Sequence, residues 1–90
     1  MKVHKLKCWP EHFQQVKAGL KLAEVRKDDR EYQVGHILHL REWDPATESY
    51  TEDEVFRIVT HILQGGQFGV EPGYVVMSLK QAYVIYLPGR

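Results

Sequence analysis

This 90-residue chain is short of three things: cysteine, long apolar runs and net charge. A single thiol, Cys8, cannot close an intrachain bridge, which excludes the disulfide frameworks that staple many small secreted domains. No stretch approaches the ~20 consecutive apolar residues of a spanning helix. No apolar run follows the lysines near the start, so no signal peptide is expected. A cytoplasmic location without membrane association is the expectation. One cysteine and five histidines without zinc spacing leave no metal site to expect. The glycine-rich stretch 64–73 is not continued by Gly-Lys-Ser/Thr and is therefore not a phosphate-binding P-loop, so no cofactor is expected either.

Lys and Arg balance Asp and Glu at 12 each, so the chain as a whole is no polyanion binder. The distribution is uneven. Residues 1–30 carry eight basic and four acidic side chains, whereas residues 31–60 carry two basic and seven acidic ones. A neutral chain can thus still present a basic face. The apolar fraction of 43% and charged fraction of 27% are those of an ordinary folded domain, and the length allows only one.

Residues 3–8 alternate and read as a first strand, with Leu6 and Cys8 on one face and Lys5 and Lys7 on the other. Pro10 opens a helix over about 10–18; Trp9, Phe13, Val16 and Leu20 fall at helical spacing, and Gly19 stops it. Further strands are predicted over 22–26, about 36–43, 54–63, 74–79 and 82–87. In 54–63, Phe56, Ile58 and Ile62 are assigned to one face and Arg57 and His61 to the other. The nearly continuous apolar run 74–79 reads as a buried strand, and 64–73 as a loop. The expected fold is α+β, mainly β: a small five- or six-stranded mixed barrel with a short helix after the first strand.

The segment richest in chemistry is Gly19-Leu20-Lys21-Leu22-Ala23-Glu24-Val25-Arg26. On a strand Glu24 and Arg26 share a face, about 7 Å apart, with Lys21 at its start. Arg26 offers a planar fork suited to phosphate or a base edge. Lys7 and Lys21 add point charges, and Lys27 and Arg30 extend the basic surface. Glu24 either accepts from an exocyclic amino group or orients Arg26. Trp9, Trp43 and Tyr74 are candidate stacking platforms.

Read as Gly-x-Lys-x-x-Glu-x-Arg, this segment resembles the signature of the activating-signal-cointegrator homology (ASCH) superfamily, whose fold is PUA-like. The likeness continues through Leu6-Lys7-Cys8-Trp9-Pro10, Phe13, Asp29-Arg30, Val34-Gly35, Leu40-Arg41-Glu42-Trp43, Ile62 to Gly66 and Gly73 to Met77, which resemble a small phage and bacterial branch. The resemblance implies a PUA-like barrel and a cleft lined by the Lys, Glu and Arg of the signature. It also implies binding of RNA or a modified nucleotide. The expected site is Lys7, Lys21, Glu24, Arg26, Arg30, Trp43 and Tyr74, with Arg26→Ala weakening binding while sparing the fold.

Two departures stand out. A hydrolase group of the superfamily deacetylates N4-acetylcytidine with a Lys and a Thr in a related segment plus a distant Glu. Here Lys21 is kept, but Glu24 stands at the threonine position, and a carboxylate does not replace that nucleophile. Many relatives also carry Asp where this chain has His36. Binding without catalysis is therefore the first reading. The alternatives are a nucleoside-directed amidohydrolase-like enzyme, with Lys21 and Glu24 in acid–base roles, and a protein-interaction adaptor using the acidic stretch 42–54.

Overall fold

The computed structural model describes residues 2–82. The chain runs β1 (Val3–Cys8), α1 (Pro10–Lys17), β2 (Ala23–Lys27), β3 (Ile37–Asp44), β4 (Ser49–Gln64) and β5 (Tyr74–Gln81). One mixed sheet has the order β1-β3-β4-β5-β2, with β1 parallel to β3 and every other pairing antiparallel. It curls into a half-barrel around a core that includes Leu6, Cys8, Phe13, Val16, Leu38, Leu40, Val59, Val75 and Met77. The structure is thus the expected mainly β fold with one short helix after the first strand. The strand expected over 82–87 falls, from residue 83 on, outside the described residues. Among the described residues no helix is long and apolar enough to cross a membrane.

Period-two alternation places His4, Leu6 and Cys8 of β1 inside. Trp9, with extended backbone, is the N-cap of α1, and Pro10 follows where a missing N–H is harmless. At the other end Leu20 N–H donates to Gln15 O and Gly19 N–H to Val16 O, both at 3.0 Å. This double closure needs a left-handed residue, and Gly19 supplies it at φ 79°. Phe13 and Val16 turn into the core, whereas Trp9 (52% exposed) and Leu20 (75%) do not, because they lie beyond the ends of the helix.

β4 departs from the expected face assignment. Val55 and Val59 face the core, with Arg57 between them, and Phe56 lies outside, stacked on His39 at 4.2 Å. The register then shifts between Val59 and His61, so Ile62 also faces inward. One extra residue in a strand reverses the faces beyond it. Inward-facing Arg57 donates through Nη2 to Val16 O at 2.9 Å and through Nη1 to Phe56 O at 2.8 Å. It thereby adds a second donor to a carbonyl in the last turn of α1 that already accepts from Gly19 N–H, and burial pulls its pKa below the ordinary value. β5 is buried on one face only: Val75, Met77 and Leu79 point in, while Tyr74 and Val76 are half-buried.

His4 and His36 meet at 2.9 Å, Nε2 to Nδ1. His36 Nδ1 also accepts from Gln33 N–H at 3.2 Å, so the proton between the rings belongs to His4 Nε2. Burial, followed by His36, Lys2 and Arg30, lowers the pKa of His4. A depressed histidine contributes stability above its unfolded value of about 6.5 and loses it as pH falls through the folded value. Urea midpoints are therefore expected to fall between pH 7.5 and 5.5, and His4→Leu is expected to flatten that dependence. Equal slopes for the two proteins would contradict the assignment.

Candidate functional site

Among the described residues the sheet ends at β1 on one side and β2 on the other, and its curl brings these edges toward each other. In β1, Leu6 and Cys8 share their backbone groups with β3, so Lys5 and Lys7 direct theirs to the free edge. Two guanidiniums meet the carbonyls there: Arg26 Nη2 donates to Lys7 O at 2.9 Å, and Arg30 Nη1 to Lys5 O at 3.1 Å. Side chains therefore span a gap that a sixth strand pairing would otherwise close.

Beside this seam lies an open groove of about 460 Å³. β1 and its exit supply Lys7, Cys8 and Trp9, and α1 adds His12 one turn after Trp9. The other wall comes from Lys21 and from Glu24 to Lys27, with Tyr74 of β5 behind them. As the edge strand, β2 contributes from both faces. Glu24 and Arg26 lie opposite Met77 and Val75 on the inner side, and Val25 and Lys27 opposite Val76 and Tyr74 on the outer side.

Glu24 organises the groove. Its side chain is 5% exposed, and both oxygens are engaged. Lys21 Nζ donates to Oε1 at 2.9 Å, Arg26 Nε donates to Oε2 at 2.8 Å, and Arg26 Nη2 lies 2.7 Å from Oε2. A carboxylate with two occupied oxygens has little left to offer a ligand. The cations keep more. Nη1 of Arg26 has no partner among the described residues, and Lys21 retains two of its three donors. The cluster carries a net positive charge and faces the groove with spare donors.

Of the expected residues, Lys7, Lys21, Glu24, Arg26 and Tyr74 line the groove together. Arg30 and Trp43 do not. Arg30 is spent on the β1 edge, and Trp43 lies on the outer side, its ring 4.0 Å below the Lys7 ammonium. Arg26→Ala also loses its expected innocence toward the fold, since Arg26 holds the seam. His12 and Val25 were not anticipated; the helical spacing of His12 from Trp9 was the available signal. Burial, then the neighbouring Glu24, pushes the Cys8 thiol up to about 11, which keeps the reactive thiolate scarce at neutral pH.

Residues 3–79 match the family described as a domain of unknown function, DUF3850. The chain belongs to that family. Over 42 residues this DUF3850 domain is also 45% identical to an "uncharacterized 12.9 kDa protein in GpA 3'region" of Escherichia phage P2. That match covers 47% of the DUF3850 chain and 38% of the phage protein, so the aligned stretch spans less than half of either.

Glu24→Gln turns an NH2 group toward one of two cations and leaves it facing a donor. A loss of about 2 kcal/mol in urea unfolding is expected, discounted from a fully buried pair because Lys21 and Arg26 are partly exposed. Unchanged stability would show that the cluster is not a structural centre. Cys8 is expected to react with a disulfide reagent at pH 8 roughly a hundredfold more slowly in the native protein than in urea. Comparable rates would contradict its burial.

Proposed function

We propose that the chain is a cytoplasmic RNA- or modified-nucleotide-binding module of the ASCH, PUA-like type, with its ligand in the groove beside Lys21, Glu24 and Arg26. The observation that carries this reading is the arrangement of donors. The buried carboxylate saturates its own oxygens and holds Lys21 and Arg26 with free N–H groups toward solvent. Such a surface seeks acceptors, and phosphate oxygens are the commonest that a guanidinium fork and an ammonium select. Lys27 adds charge on the same groove, and Trp9 and Tyr74 offer aromatic surface at its walls. Cationic tracks with aromatic platforms suit single-stranded nucleic acid.

The alternatives draw less support. Glu24 has both oxygens engaged by Lys21 and Arg26, which leaves its carboxylate no free oxygen for acid–base work on an amide. The acidic stretch 42–54 is largely satisfied internally. Glu42 is buried and accepts from Gln14 at 2.9 Å and Thr51 at 2.6 Å. Asp53 pairs with Lys17, and Glu54 with His39.

The test is a titration with short single-stranded RNA and matched DNA at two salt concentrations. Trp9→Ala and Lys27→Ala are the informative variants, since neither side chain makes a hydrogen bond within the described residues. Trp9→Ala is expected to weaken RNA binding about tenfold. Lys27→Ala is expected to reduce the slope of log affinity against log salt by about 1. Absence of salt-sensitive binding, or wild-type behaviour of both variants, would overturn the reading.

A further inference from the structure

A second groove of about 280 Å³ adjoins the first. Val25 and Tyr74 line both, so the two form one continuous surface around the β2 edge. Their chemistry differs. The first is ringed by cations; the second is walled by Val25, Val70, Val76 and Tyr74, with Glu71 as its one charged side chain. A carboxylate there disfavours a second phosphate and suits a group that carries N–H donors. The nucleobases are such groups, flat and apolar on their faces.

The β4–β5 connection carries an aromatic, Phe68, next in sequence to the groove-lining Gly69. Gln67 to Val70 form a tight turn closed by Val70 N–H to Gln67 O at 2.9 Å. Its central residues, Phe68 and Gly69, have φ 51° and 77°. Successive positive φ values mark a type I′ turn, which favours Asn or Gly at both positions. Phe68 instead occupies a backbone region rarely taken by bulky residues, and its side chain is 85% exposed. It is adjacent in sequence to Gly69 and Val70, which line the groove. Both its backbone strain and its exposed ring disfavour the free state, and a stacked ligand would offset the second.

We propose that the second groove is a base subsite. A single nucleotide unit places its phosphate against Lys21 and Arg26 and its base between Tyr74 and the valines, with Phe68 stacking on the outer side. This rests on the nucleotide-binding reading above and adds where the base goes.

Calorimetric titrations with ribose 5-phosphate, GMP and a 5′-phosphorylated pentanucleotide RNA test it on wild type and Phe68→Gly. The glycine variant removes the ring and relieves the backbone, so the fold is retained. Stacking predicts that Phe68→Gly weakens GMP or the pentanucleotide roughly tenfold while leaving ribose 5-phosphate unchanged. Whichever of the two responds identifies a free nucleotide or a strand as the source. Unchanged affinity for both in Phe68→Gly would remove the base subsite and leave the phosphate site standing. No binding of any probe would overturn the subsite together with the reading beneath it.

Discussion

Among the described residues, five strands curled into a half-barrel leave two edges facing each other, and what lies between those edges governs the rest of the site. Backbone pairing across the gap would give a closed, inert barrel. Instead Arg26 and Arg30 donate to the carbonyls of Lys7 and Lys5. Edge strands with unpaired groups invite association with other chains, and charged side chains over the edge oppose it. The same guanidiniums hold the edges apart enough for a groove. Closure of the fold and creation of the site are therefore two effects of one interaction.

That interaction depends on Glu24. A guanidinium reaching across open space would sample many rotamers, and ordering it has an entropic cost. Glu24 fixes Arg26 from within the strand, two residues away, and fixes Lys21 from the other oxygen. The three-residue spacing from Lys21 works because Gly19 turns the chain sharply after α1, so residue 21 re-enters beside the strand it precedes. The helix end is held in its turn by Arg57, which reaches from β4 to the Val16 carbonyl. A strand in the middle of the sheet thus supports the loop that delivers Lys21 to the edge.

Much of this was legible in the residues. The first strand, the helix with its proline start and glycine stop, and the cluster in residues 19–26 all follow from local chemistry. What was not legible depended on sheet topology. The face assignment of β4 failed because a single bulged residue reverses a period-two pattern, and nothing in Val59-Thr60-His61 announces it. Arg57 reads as a solvated charge until its neighbour is known to be a helix end. Arg30 and Trp43 were grouped with the groove by their residue types. Trp43's position follows from the parallel pairing of β1 with β3, which sets Lys7 beside Arg41 on the outer side, and Arg30's from its bond to the Lys5 carbonyl at the β1 edge. Residue type allows Glu24 two roles, and only the geometry of both its oxygens separates them.

The charge asymmetry along the chain acquires a physical meaning once the pairs are known. Three carboxylates of the acidic middle third have partners away from Lys21 and Arg26: Asp53 pairs with Lys17, Glu54 with His39, and Glu42 accepts from Gln14 and Thr51. Asp53 and Glu54 lie on β4, away from the groove, whose lining comes from β1, α1, Lys21, β2 and the start of β5; of these carboxylates only Glu42, beside Cys8 in register, lies next to a lining residue. Inside it Glu24 stands against Lys21, Arg26, Lys27 and Lys7. A formally neutral protein thereby keeps a local cationic surface. Its field is short in reach at physiological salt, about 8 Å. Attraction of that range acts on a ligand already at the groove and gives little steering from afar, so selectivity has to come from the shape and aromatic surface beside the charges.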